Sequence, residues 1–243
     1  MAVKILHLYS NLMNLYGEYA NVSILQRHLN EQGLECEICK TDSCKDVNFF
    51  DYDLIYIGSG TEKAQKRALA DLMTKKDEFT AAADSGKLIL LTGNAFEMIG
   101  KSITDAYGNR FEAICLSPFE TVESYDKRLT GDAVFTCKFI PEKFVGFINK
   151  CSFTSGVDKP LFSALMGIGN DKDDRNEGVR YKNVFGTHLI GPLLVKNPHF
   201  AGYIIQLLTK DIKGFEYKET ISQYEQEAYQ TTLKELCQRT TEA

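Results

Sequence analysis

The run Leu88-Ile-Leu-Leu91, followed by Thr92-Gly93-Asn94 and then by Ala95 to Gly100, constrains the fold more than any other stretch of the chain. An apolar run, a tight polar turn with a glycine and a segment with helical spacing predict a buried strand, a sharp turn and a helix. That arrangement presents a nucleophile at the mouth of a sheet. A strand apolar on both faces belongs in the middle of a parallel sheet with helices on either side. The turn itself holds no cysteine, serine, histidine or acid. The frame of a site is present and its reactive atom is absent.

The flanking sequence fits an α/β fold. Residues 4–9 predict a strand. Tyr19, Val22, Leu25 and Leu29 then recur at helical spacing until Gly33, a natural C-terminal cap, and residues 34–39 alternate as a second strand. This βαβ unit has a right-handed crossover. Residues 53–60 give a third strand ending in Gly58-Ser59-Gly60, with helices over 62–75 and 77–85. Ligands of open α/β sheets bind at the carboxyl ends of the strands, so the turns at Gly58, Gly60 and Gly93 are expected to face one crevice. There their backbone amides can approach developing negative charge.

Beyond Gly100 the pattern becomes β-rich. A hairpin is expected around Tyr107-Gly108-Asn109, then strands over 111–116, 130–139 and 144–148, the last two antiparallel with Pro141 between them. Strands over 179–181 and 184–189 precede an apolar helix over 198–208. The tail over 218–240 is amphipathic, with Ile221, Tyr224, Ala228, Thr231 or Thr232 and Leu236 along one side. We divide the chain into a domain over 1–208 and a helical tail over 209–243, packed on that domain or on a partner.

Composition narrows the function. With 28 Lys+Arg against 33 Asp+Glu, a net charge of -5 and no long basic run, the chain is not built to track a nucleic-acid backbone. No apolar stretch approaches a bilayer span, so no membrane insertion and a cytoplasmic location are expected. Seven scattered cysteines give no disulfide framework, and Cys36-Glu-Ile-Cys39 lies on an alternating segment where its two thiols point to opposite faces. The acidic loop over 167–178 lacks the ligand order of a calcium site. Nothing in the pattern calls for a cofactor or a metal ion.

Five patches carry a family resemblance in order and spacing: Asn14-Leu-Tyr-Gly-Glu-Tyr-Ala-Asn21, the turn at Gly93, Arg128-Leu-Thr-Gly-Asp132, Val145-Gly-Phe147, and Glu177 through Pro192. Together they resemble the class I glutamine amidotransferases of the cobyric-acid-synthase-like group. The likeness is greatest to the amidotransferase subunits of lipid II isoglutaminyl synthases, which pair with a Mur-ligase-like subunit to amidate the peptidoglycan stem peptide. The resemblance implies a flavodoxin-like fold with a central, mostly parallel sheet and flanking helices.

In that family the turn carries Cys-Gly-Gly-aromatic-Gln. The cysteine attacks the glutamine amide, and a histidine in a Leu-His-Gly-Pro motif moves the proton. Here Gly93 stands at the cysteine position and Ile190 at the histidine position, with Asn94 at a family glycine and Glu97 at the glutamine. Arg128 matches an arginine that contacts the glutamine substrate, and Phe153 stands where the family tends to have arginine. Glycine suits an elbow whose positive φ costs other residues about 1–3 kcal/mol, so positive φ is expected at Gly93.

The resemblance therefore implies a catalytically degenerate subunit that binds a Mur-ligase-like or other synthetase partner. Two alternatives stay open. One is an active amidotransferase or hydrolase using Thr92, Cys151 or His188. The other is a sensor of glutamine or another small carboxylate, held by Arg128 and the glycine turns.

Overall fold

A computed structural model describes residues 2–126 and 128–241. In chain order its strands and helices are β1 (Val3–Leu8), α1 (Tyr19–Glu31), β2 (Cys36–Thr41), β3 (Leu54–Ile57), α2 (Glu62–Met73), α3 (Lys76–Asp84) and β4 (Leu88–Thr92). The β-rich part follows with β5 (Ser102–Thr104), β6 (Arg110–Glu112), β7 (Glu120–Glu123), β8 (Leu129–Thr136), β9 (Phe144–Lys150), β10 (Ser152–Ser155), β11 (Phe162–Met166) and β12 (Asn176–Glu177). The chain closes with β13 (Val179–Tyr181), β14 (Val184–Thr187), α4 (Leu193–Lys196), α5 (Pro198–Thr209) and α6 (Gln223–Thr241).

The main sheet has the order β13-β14-β4-β3-β1-β2, parallel except for β13. The apolar β4 is central, as its composition requires. Its alternate residues feed two cores. Leu6, Ile55, Ile57, Ile89 and Leu91 pack on one face with Leu72 and Phe79 of α2 and α3. Ile5, Leu54, Tyr56, Leu88 and Leu90 pack on the other with Val22 and Leu25 of α1 and with Phe200 and Ile204 of α5. Two four-stranded sheets, β10-β7-β5-β6 and β12-β11-β8-β9, account for the β-rich half.

Local chemistry sets the element ends. Gly33 takes φ +79° just past α1, and Thr61 caps α2 by accepting the Ala64 amide at 3.1 Å. Pro198 opens α5, where its missing N–H costs nothing. The buried Asn197 side chain before it accepts the Val145 amide and donates to the carbonyls of Val145 and Leu193, each at 2.8 Å. That triple bond ties α5 to β9.

The seven-residue 3-10 helix Gly93–Ile99 stands where an α-helix was expected after the turn. It is tied down from outside: Gly100, Leu116 and Ile114 make backbone bonds around it, and every residue but Asn94 is buried. The stripe expected on the tail holds at Leu236 but not at Tyr224 and Ala228, where Tyr229 takes the buried place. Tyr224 is 83% exposed, whereas Tyr229 and Leu236 are buried against Val134 and Val145. The Tyr229 hydroxyl donates to the Lys143 carbonyl at 2.8 Å. Residues 229 and 236 are seven apart and so share one face of the helix, and these contacts select that face.

The core also holds His7 of β1, fully buried, with neither ring nitrogen hydrogen-bonded. Burial, with Lys40 adding to it against Asp42, lowers its pKa to about 4. Above pH 6.5 the ring is neutral in both folded and unfolded states. Below it the unfolded chain takes up a proton that the folded site refuses, until the pH reaches 4. We expect His7 to remove about 3 kcal/mol of stability over that interval. Urea unfolding at the two pH values checks this, and in His7→Leu that part of the decline should vanish.

No helix among the described residues is long and apolar enough to cross a membrane.

Candidate functional site

The crevice lies where β3 and β4 end, and the two turns that line it are stitched together. The Gly60 amide donates to Asn94 Oδ1, and Asn94 Nδ2 donates back to the Gly60 carbonyl, both at 2.9 Å. Gln65 of α2 donates to the Asn94 carbonyl at 2.6 Å. The cavity above holds about 230 Å³ and is lined by Ser59, Gly60, Asn94, Glu97, Arg128 and Cys151 among others. Gly58 does not line it. A Cβ there would lie 2.6 Å from the Met13 carbonyl oxygen, so this glycine serves close backbone packing.

Gly93 takes φ +60°, the expected left-handed conformation. Its surroundings are filled. A Cβ at this position would meet Ser59 Oγ at 2.3 Å, Ser59 Cβ at 2.5 Å and Ile190 Cγ2 at 3.0 Å. The fold thus brings Gly93 and Ile190 together across the sequence, and Ser59, which sequence reasoning passed over, stands where a side chain at the elbow would go. The Gly60 amide is already bonded to Asn94. A backbone donor suited to developing negative charge is thereby occupied.

Behind the turn, a carboxyl from the Asn14-to-Asn21 patch, with no individual role expected of it, anchors the elbow. Glu18 is fully buried and accepts from Thr92 Oγ1, from Tyr56 Oη at 2.7 Å and from the Gly191 amide at 3.1 Å. Burial pushes its pKa up against those bonds. Thr92 is fully buried and engaged with Glu18 and Tyr56.

Glu97 and His188 form a second buried group. Glu97 accepts from Gln65 Nε2 at 2.6 Å and from Ser152 Oγ, with His188 Nε2 at 3.2 Å. Burial pushes the Glu97 carboxyl up, but the His188, Ser152 and Gln65 partners outweigh it and hold the pKa below its ordinary value. His188 Nδ1 lies 3.3 Å from Glu177, so the ring sits between two carboxylates and is 2% exposed. Buried Lys150 donates to the carbonyls of Gly169 and Asn170 at 2.6 and 3.0 Å, and burial lowers its pKa against Glu177 and Glu97.

At the rim, Arg128 Nη2 donates to Glu62 and Nη1 to Asn149 Oδ1 at 2.9 Å. Cys151 Sγ lies 3.1 Å from the same Glu62 oxygen. Burial and that carboxylate raise the Cys151 thiol to about 12, the reverse of what a nucleophile needs. Among the described residues no group of three or more His, Cys, Asp or Glu is placed to hold a metal ion.

Comparison with known proteins places this geometry. The model of the CobB/CobQ-like glutamine amidotransferase domain matches residues 4–198. The GatD subunit of the glutamine-hydrolysing lipid II isoglutaminyl synthase of Streptococcus pneumoniae is 29% identical over 234 residues, covering 93% of this chain and 90% of that protein. The GatD subunit of Staphylococcus aureus is 29% identical over 233 residues, covering 95% of each. Among solved structures, a glutamine amidotransferase from Thermotoga maritima aligns over the whole of both chains with a TM-score of 0.52 at 11% identity. A second glutamine amidotransferase reaches 0.57 at 12% identity, over 84% of this chain and 98% of its own. At such identities these two structures speak to the fold alone.

Proposed function

The chain belongs to the CobB/CobQ-like glutamine amidotransferase family, and from that premise we propose that it is a cytoplasmic amidotransferase-like subunit that has lost glutamine hydrolysis. In this reading it serves a Mur-ligase-like synthetase partner in cell-wall peptide amidation or a related pathway. The observation that carries it is the filled space at Gly93. The position lacks a thiol, and Ser59 and Ile190 occupy the volume a cysteine side chain would need.

The groups that could replace the thiol are engaged elsewhere. Thr92 is locked to Glu18, Cys151 is held as a thiol beside Glu62, and His188 is buried between carboxylates. This argues against a rearranged hydrolase. For a carboxylate sensor, a ligand would first have to displace Glu62 from Arg128.

The test is co-expression with the Mur-ligase-like subunit encoded by the same organism, followed by gel filtration and an ammonia-release assay with glutamine. We expect a stable complex whose ammonia release does not exceed the no-enzyme rate. Robust hydrolysis would overturn the loss of activity, and failure to form a complex would overturn the partner.

A further inference from the structure

Away from the crevice, a cavity of about 520 Å³ opens between the end of β8, the segment entering β11, and the edge strand β13. Its size is that of a small-molecule site. Lys138, Lys159 and Arg180 line it, with Asp158 as its only acid, although the chain as a whole carries a net charge of -5. Among the described residues none of these three cations has a carboxylate within ion-pair distance. Asp158 is itself engaged, accepting from Ser117 Oγ at 3.2 Å.

Arg180 is fixed in place. Its Cζ lies 4.4 Å from the Phe139 ring centroid and 4.9 Å from that of Phe185. Nη2 donates to Tyr203 Oη at 3.1 Å and Nε to the Lys182 carbonyl at 3.4 Å. A guanidinium held by rings loses little freedom on binding, and among the described residues its Nη1 makes no hydrogen bond. Half-buried Phe139 and exposed Pro160 supply an apolar wall beside it.

We propose that this groove binds a phosphorylated small molecule, with the phosphate on Arg180, Lys138 and Lys159 and the apolar body against Phe139 and Pro160. With Asp158 counted the lining carries a net charge of +2, more than a single carboxylate would balance, whereas a phosphate or diphosphate group matches it. The site is independent of the crevice and of the activity proposed for it.

Calorimetric titration at low salt with ADP, with pyrophosphate and with succinate tests the assignment. We expect ADP to bind and the double variant Lys138→Glu/Lys159→Glu, altered only at exposed side chains, to weaken it by on the order of tenfold or more. The double variant Lys45→Glu/Lys234→Glu makes the same change in net charge elsewhere and should leave binding unaltered. Tighter binding of ADP than of pyrophosphate supports a phosphate ester with a body on the wall, and pyrophosphate binding as tightly as ADP or more tightly would overturn the body's place there. No binding of either up to millimolar concentration, equal weakening in the control variant, or succinate binding as tightly as pyrophosphate would overturn the phosphate site.

Discussion

Replacing Gly93 by cysteine is expected to destabilise the fold by about 3–5 kcal/mol, read as a lower midpoint of urea unfolding. Two costs combine. A non-glycine residue at φ +60° is strained, and the new side chain must push Ser59 or Ile190 aside, since its Cβ would lie 2.3 Å from Ser59 Oγ. The second cost depends on Ser59 and the first does not. Adding Ser59→Gly should therefore recover about 1–3 kcal/mol, and a double-mutant cycle isolates that share. Gly93→Cys alone should form no covalent adduct with a chloroketone analogue of glutamine. The triple variant with Ser59→Gly and Ile190→His restores both space and base, and mass spectrometry should then find the adduct. A fully stable Gly93→Cys protein would contradict the filled elbow.

Glu97→Leu should be costlier than its single substitution suggests, about 3–5 kcal/mol. Glu97 accepts from Gln65 and Ser152 and faces His188, and all four residues are buried. Leucine leaves the donors without an acceptor where they are almost wholly buried. Glu97→Gln keeps the shape and one acceptor oxygen, but sets an amide N–H₂ against one of the existing donors. Its cost should be smaller, about 1–3 kcal/mol. Thermal unfolding of the two variants gives the order. An equal loss in both would mean that packing, not the missing charge acceptor, is responsible.

The apolar parallel strands were legible in the sequence because β1, β3 and β4 are buried on both faces, and burial of that kind leaves continuous apolar runs. The positive φ at Gly93 was legible because an elbow demands it. The short strands β7, β10 and β11 were not. Glu120-Thr-Val-Glu123 and Ser152-Phe-Thr-Ser155 are short and carry little alternation. Cross-strand pairs such as Thr121 with Thr154, 3.2 Å apart, hold them together. Tertiary pairing, not local propensity, made these strands.

The site was legible in its losses and opaque in its compensations. Gly93 and Ile190 stood out as substituted positions, but that Ser59 fills the gap between them depends on a packing contact across 34 residues of chain. Glu97 and His188 were noticed separately. Their contact spans 91 residues, and Glu177, the third member, opens a patch of family resemblance without any local mark of its contact with His188.

The C-terminal helix has a bearing on assembly. Tyr229 and Leu236 cover Val134 and Val145 of the β8–β9 ribbon, Arg239 pairs with Asp132 at 2.8 Å, and Glu225 reaches Arg27 of α1 at 2.7 Å. The last segment of the chain thus clasps an early helix and a late hairpin at once. A second subunit can reach the valines beneath only by prising the clasp open, so what this flank presents with the fold intact is the polar outer face of the helix.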